Sequence, residues 1–258
     1  MKVVLITGAA SGLGKAFATL YASKHQSLVL VDKDTTGLMH TKSEIESFTN
    51  DITIDCIEAD LCDELELQKV FQYTQSKGYF VHELINCAGF GDRTDFWEMD
   101  IQKQLQMTKV DCNALLYLTH IYLDAMLQHN EGHIINVSSL AGFLPGPYMS
   151  TYHACKGYIL LLGEAIAYEL RKTNVHLLTL CPGPFYSHFV HFAHNDYTFQ
   201  KIKPMDAHRV ALIGYQKAHQ GKTIAIVGLK NRLTIFFTRF LPRRFVATLS
   251  AKTIKKEK

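Results

Sequence analysis

The first 32 residues constrain the fold more than any other stretch. Val3-Val4-Leu5-Ile6 is a continuous apolar run, as expected of a strand buried on both faces. Thr7-Gly8-Ala9-Ala10-Ser11-Gly12-Leu13-Gly14 follows at once. Lys15 to Lys24 reads as a helix with Phe17, Leu20 and Tyr21 on one side, and Ser27-Leu28-Val29-Leu30-Val31 as a second buried strand ending at Asp32. Strand, glycine turn, helix, strand and acid, in that order, predict a βαβ unit that holds a dinucleotide. In such a unit Gly8 permits the tight turn, Gly12 lets the backbone approach a pyrophosphate, and Gly14 lets the helix pack close to the strand. The helix N-terminus favours the negative phosphates. The spacing is Gly-x3-Gly-x-Gly, not the commoner Gly-x-Gly-x-x-Gly. Asp32 can accept hydrogen bonds from the adenosine ribose and repel a 2′-phosphate, so NAD is the expected cofactor; Lys33 keeps NADP possible.

The alternation continues. Residues 52–59 read as a strand ending at Asp60-Leu61, and 63–77 as a helix. Leu84-Ile85 leads into Asn86-Cys87-Ala88-Gly89, and a long helical stretch covers 101–129. Residues 133–137 are a strand followed by Ser138-Ser139; 152–172 are helical, with Tyr158, Leu161, Leu162, Ala165 and Leu170 as the apolar positions. Residues 175–180 and 223–227 complete seven strands. Strands alternating with helices predict one doubly wound, Rossmann-type α/β domain with a parallel sheet over residues 1–228. Ligands then belong at the carboxyl ends of the strands, where every motif above falls.

One such end carries a reactive constellation. Tyr152 and Lys156 are four residues apart, one helical turn, and Ser139 lies thirteen residues upstream of the tyrosine. Reducing a carbonyl requires a hydride on carbon and a proton on oxygen. A free phenol, with a pKa of about 10, is a poor base near neutrality. A lysine beneath it stabilises the phenolate and pulls that value toward working pH. Ser139 can hydrogen-bond the substrate oxygen and fix it near Tyr152.

With these residues in place, residues 1–228 resemble the short-chain dehydrogenase/reductase family. The likeness rests on Thr7 to Gly14, Asp60, Asn86-Cys87-Ala88-Gly89, Ser139, Tyr152, Lys156 and Pro182-Gly183. Within the family the chain is most similar to bacterial reductases related to 3-oxoacyl reductases. The resemblance implies a nicotinamide cofactor held by Thr7, Gly8, Ser11, Gly12, Leu13, Gly14, Asp32, Asp60, Leu61, Asn86, Ala88, Gly89, Tyr152, Lys156, Pro182, Gly183 and Ser187. It implies that Lys156 also holds the nicotinamide ribose, that Ser187 holds the nicotinamide amide, and that the protein is a homodimer or homotetramer. Members usually place an asparagine in the helix after the fourth strand, where it supports a proton relay. Here Asp111 takes that position, and it is counted with Ser139, Tyr152 and Lys156 as a catalytic residue. Asn113 lies about 200° around the helix and cannot simply substitute.

Composition fits one domain with a large core: 258 residues, 47% hydrophobic. The buried first strand starts at Val3, which leaves no room for a signal peptide, and no run is apolar enough to span a bilayer. The six cysteines show no Cys-x-x-Cys and read as reduced core thiols of a cytoplasmic protein. No metal is expected; His188, His191 and His194 recur every third residue without partner ligands and read as lid residues. Asp92, Arg93 and Asp95 read as a solvated loop. Phe185, Tyr186, Phe189, Val190, Phe192, Tyr197 and Phe199, with Phe143, Leu144, Pro145 and Tyr148, predict a hydrophobic acyl or steroid-like substrate.

The C-terminal extension, 229–258, stands apart. It holds nine Lys/Arg against one acid, a net +8, which leaves −5 on residues 1–228 of a chain whose total is +3. Leu233, Phe237, Phe240, Phe245 and Leu249 form an apolar stripe interrupted at Pro242. A basic amphipathic extension suits peripheral contact with an anionic membrane, or packing on its own domain or a partner subunit. No nucleic-acid motif accompanies the charge. A second class of function follows: a catalytically weakened nucleotide-binding protein that works through this extension.

Overall fold

The computed structural model describes residues 1–185 and 204–254. Seven strands form one parallel sheet in the order β3-β2-β1-β4-β5-β6-β7, with β1 Lys2–Thr7, β2 Leu28–Asp32, β3 Ile54–Glu58, β4 Phe80–Asn86, β5 Gly132–Val137, β6 Val175–Cys181 and β7 Ile224–Ile226. The strand order reverses between β1 and β4, which are in register from Leu5 opposite Leu84 to Ile6 opposite Ile85. That reversal opens the crevice in which an α/β sheet binds its ligand.

Side chains alternate across each strand, so one sheet feeds two cores. Val4, Ile6, Leu30, Ile135 and Leu180 face one layer, formed by α1 (Gly12–Ala22), α2 (Thr35–Glu46) and α7 (Ala207–His219). Val3, Leu5, Val31, Leu84 and Leu177 face the other, formed by α3 (Glu64–Ser76), α5 (Leu115–His129) and α6 (Ser150–Glu169). Both faces are covered, and for this reason the strands read as unbroken apolar runs.

The stretch predicted as one helix over 101–129 is α4 (Ile101–Thr108), a π-helical segment (Lys109–Ala114) and α5. The wide turn falls on Asp111, and such segments often mark functional positions. Helix α6 corrects the sequence reading of its faces. The buried side is Cys155, Lys156, Ile159, Leu160, Gly163 and Ala167, whereas Tyr158 and Leu161 are exposed. Periodicity alone cannot say which of two apolar stripes meets the sheet; Gly163 decides it, because a Cβ there would lie 2.0 Å from Thr179 Oγ1 of β6.

The extension forms α8 (Leu229–Thr238) and α9 (Arg243–Ile254). Ile235, Val246 and Ile254 are buried, and the Arg93 guanidinium donates to the Ile254 carbonyl at 3.2 Å. The predicted stripe does not pack on the domain: Leu233, Phe237, Phe240, Phe245 and Leu249 are 41–72% exposed.

Candidate functional site

The glycine turn is built as a cradle. Gly8 and Gly12 have φ of +70° and +53°, conformations that side chains disfavour. A Cβ on Gly14 would sit 2.0 Å from the Gly8 carbonyl oxygen. The N-terminus of α1 has no side-chain cap and no acid in its first turn, although Ser11 occupies the capping position. By contrast α2, α3, α4 and α7 each begin on an aspartate that accepts a backbone N–H. The donors of α1 are thus left for an outside anion, as a pyrophosphate requires.

The other cofactor candidates divide by role. Asp32 closes β2 and accepts from the N–H groups of Ala10 at 3.0 Å and Asp34 at 3.1 Å. Asp60 accepts from Cys62 N at 3.0 Å, and Leu61 is buried with Thr7, Asn86 and Ala88 around a narrow crevice. The Thr7 hydroxyl accepts from Cys87 N and Ala88 N, at 3.0 and 3.1 Å, knitting the turn to the end of β4. Asn86 Nδ2 donates to Thr119 and Asn136 beneath the crevice. Thr7 and Asn86 therefore shape the floor, and Leu13 gives its side chain to the core. The Pro182 carbonyl accepts from Leu140 N at 3.0 Å, and Gly183 lies against Asn231 of α8. Ser187, the three recurring histidines and the aromatic residues 186–199 lie outside the described residues.

Ser139, Tyr152, Lys156 and Asp111 converge. Ser139 ends the strand-to-turn step after β5, where its hydroxyl accepts from Ala141 N at 3.1 Å and lies close enough to Tyr152 to draw the phenol pKa down. Lys156 Nζ lies 5.6 Å from the Tyr152 ring centroid, 2.6 Å from Asp111 Oδ1 and 3.3 Å from the Val137 carbonyl it donates to. Asp111 is fully buried, and its other oxygen accepts from Phe90 N at 3.2 Å. Gly89 makes room for this pair, since a Cβ there would come 2.6 Å from Asp111 Oδ1 and 3.1 Å from Lys156 Nζ. Asn113, two residues on, is exposed.

Electrostatics follow from that packing. Burial opposes the Lys156 charge, but Asp111 and Tyr152 outweigh it and hold the ammonium above the ordinary lysine range. Burial pushes the Asp111 carboxyl up, against the pull of Lys156. Tyr152 also sits above the ordinary phenol value. Burial is the largest cause, the Lys156 charge and the Ser139 hydroxyl pull down, and Asp111 adds an upward push. Lysine acts in the predicted direction but does not dominate in this state.

The chain matches the short chain dehydrogenase family over residues 2–197. It belongs to that family. An uncharacterised oxidoreductase of Staphylococcus saprophyticus is 28% identical over 182 residues, 70% of this chain and 77% of that one. A short-chain dehydrogenase from Sphingobium yanoikuyae in complex with NADPH superposes with a TM-score of 0.83 at 23% identity, covering 93% of this chain and 94% of that one. A short-chain dehydrogenase/reductase from Burkholderia phymatum in complex with NAD gives 0.83 at 24% identity, covering 93% of each. This short-chain dehydrogenase is an oxidoreductase with the doubly wound fold of those neighbours.

Two further groupings escaped the sequence reading. Asp92 is buried, not solvated; it accepts from Lys103 and Thr94. At the far end of the sheet, Glu83 accepts from Tyr21 and lies 3.1 Å from His219 Nε2, whose ring stacks on His133 at 4.3 Å. Glu83, His133 and His219 each place one ligand atom within 4.8 Å of the other two, and with Tyr21 they form a polar network between β4, β5, α1 and α7. All six cysteines are free; Cys155 and Cys181 are buried, and Cys56, Cys87 and Cys112 are half-buried against the core clusters, which leaves the half-buried Cys62 outside the core reading. Among the described residues no helix is long and apolar enough to cross a membrane.

Proposed function

We propose that this enzyme interconverts a carbonyl and a secondary alcohol on a hydrophobic molecule, with NAD preferred and Tyr152 as the proton donor and acceptor. The observation that carries the reading is the convergence of Ser139 and Lys156 on Tyr152, with the ammonium 5.6 Å from the phenol ring and both groups pulling the phenol pKa down. The nicotinamide would supply or accept the hydride. Ser139 orients the substrate oxygen, Tyr152 delivers its proton, and Lys156 favours the phenolate left behind. The open α1 N-terminus, Gly8, Gly12 and Asp32 would hold the dinucleotide, and the Asp32 carboxylate favours a ribose hydroxyl over a 2′-phosphate. Fluorescence titration with both reduced cofactors tests the preference: NADH should bind more tightly, and tighter NADPH binding refutes it. A carbonyl panel tests the substrate class, with better efficiency on polar sugars than on any apolar ketone as the refuting result. A protein that binds dinucleotide but turns over nothing in that panel would be the weakened, extension-driven alternative.

Two surfaces extend the proposal. Leu161, Tyr158, Leu105 and Leu116 are exposed on α4, α5 and α6, and such a face suits a second copy of the chain. The stripe on α8 and α9, flanked by Lys230, Arg232, Arg239, Arg243 and Arg244, suits an anionic membrane, where each basic residue near the surface contributes roughly 1 kcal/mol. Truncation after Gly228 should abolish co-sedimentation with anionic vesicles while the full chain sediments at low salt. Equal behaviour of both forms would overturn the membrane reading.

A further inference from the structure

Between the catalytic domain and the extension lies a cavity of about 330 Å³. One wall is Phe143, Leu144 and Pro145, from the turn whose first residue follows Ser139. The extension contributes Ile235, Leu241 and Val246 to the lining, together with Thr238, Arg239 and Arg243. The apolar walls offer a hydrocarbon chain the burial it seeks. The polar part of the lining is one-sided in charge. Neither Arg239 nor Arg243 has an acidic partner among the described residues, and the described part of the extension, 229–254, contains no acid at all. Arg243 is also the first residue of α9, whose first turn has no acid, so the helix N-terminus adds positive potential at the same point. Two guanidiniums without an acidic partner among the described residues suit a carboxylate or phosphate.

We propose that this cavity binds a single-chain anionic amphiphile, with the alkyl chain against Phe143, Leu144, Ile235 and Val246 and the acidic head between Arg239 and Arg243. The head and first methylenes of an anionic membrane lipid present this chemistry, and so does a free fatty-acid-like ligand. Arg239 and Arg243 are both exposed, so replacing them should leave the fold intact.

The test uses the full chain and calorimetric titration with monomeric dodecyl phosphate and with dodecanol. Dodecyl phosphate should bind one to one and at least tenfold more tightly than dodecanol. Arg239→Gln/Arg243→Gln should erase that difference, whereas the surface change Lys222→Gln should not. The source is read from vesicles. Loss of phosphatidylglycerol-vesicle binding in the double variant assigns the head to a membrane lipid; unchanged vesicle binding with lost dodecyl phosphate binding assigns it to a free amphiphile. Absence of dodecyl phosphate binding by the wild type, equal affinity for dodecanol, or an unaffected double variant overturns the proposal. NADH titration and ketone reduction on the same samples report the active site separately, so failure here is distinguishable from failure of the oxidoreductase mechanism.

Discussion

The two ends of the sheet carry nearly the same set of groups and use them differently. At the carboxyl end a buried acid, Asp111, pairs with Lys156 beneath Tyr152. At the amino end a buried acid, Glu83, pairs with His219 and accepts from Tyr21. What separates them is access. The first set opens onto a glycine cradle with unfilled backbone donors, whereas Tyr21 is sealed between α1, α7 and the sheet and packs edge-on against Tyr215. The cation differs too. A lysine held above its ordinary range keeps its charge across physiological pH, while a histidine gives its charge up within it. An acid, a base and a phenol make a reactive site only where the backbone leaves room for a substrate.

The sharpest way to break this comparison is at the phenols. Tyr152→Phe should lower turnover about 10²–10⁴-fold, since only the transferable proton is lost, and leave NADH affinity nearly unchanged. Tyr21→Phe should leave turnover intact and cost about 1–3 kcal/mol in denaturant unfolding, because Glu83 loses a buried donor. Turnover surviving in Tyr152→Phe on a true substrate would show that the acid lies elsewhere. The ion pairs come next. Lys156→Ala leaves Asp111 buried without a counter-charge and should cost about 3–5 kcal/mol in the same assay, with cofactor affinity also reduced. His219→Gln, at a partly exposed pair, should cost below about 1 kcal/mol.

A subtler change sharpens the role of Asp111. Its carboxylate pushes the phenol pKa up, so Asp111→Asn should move the rising limb of the alcohol-oxidation pH profile to lower pH and keep or raise the neutral-pH rate. An unmoved limb with a large rate loss would mean that the carboxylate has its own part in the relay.

The smallest effect is the pH dependence of stability at the amino end. Its hydrogen bond to Glu83 raises the His219 pKa, so that pair stabilises the fold fully below about 6.5 and fades as pH rises through the raised value. Burial holds His133 down at about 4. Acidification from about 6.5 toward that value protonates only its unfolded form and costs stability. Melting curves from pH 4.5 to 9 should therefore show His133→Gln losing less stability in acid than wild type. His219→Gln should converge with wild type in alkali. Parallel curves for all three proteins would remove the titrating network.

By itself the sequence determined the elements whose information is local. The β1 run, the glycine turn and the acid at Asp32 lie within one short unit, and Tyr152 and Lys156 are one helical turn apart, so spacing alone places them together. The seven-stranded sheet follows from repeated alternation. Contacts between distant segments were not legible. Only the family resemblance brought Asp111 to Lys156, and nothing in the chain's pattern joins Glu83, Tyr21, His133 and His219, because each link depends on which strands become neighbours. The buried face of α6 depended on one close approach, Gly163 against Thr179, and Asp92 was withdrawn from solvent by Lys103. The extension shows the limit most clearly. Its apolar stripe was plain in the sequence, but periodicity reports that a face is apolar, not what covers it. Only the tertiary structure decided that Ile235, Val246 and Ile254 face the domain while the stripe faces outward.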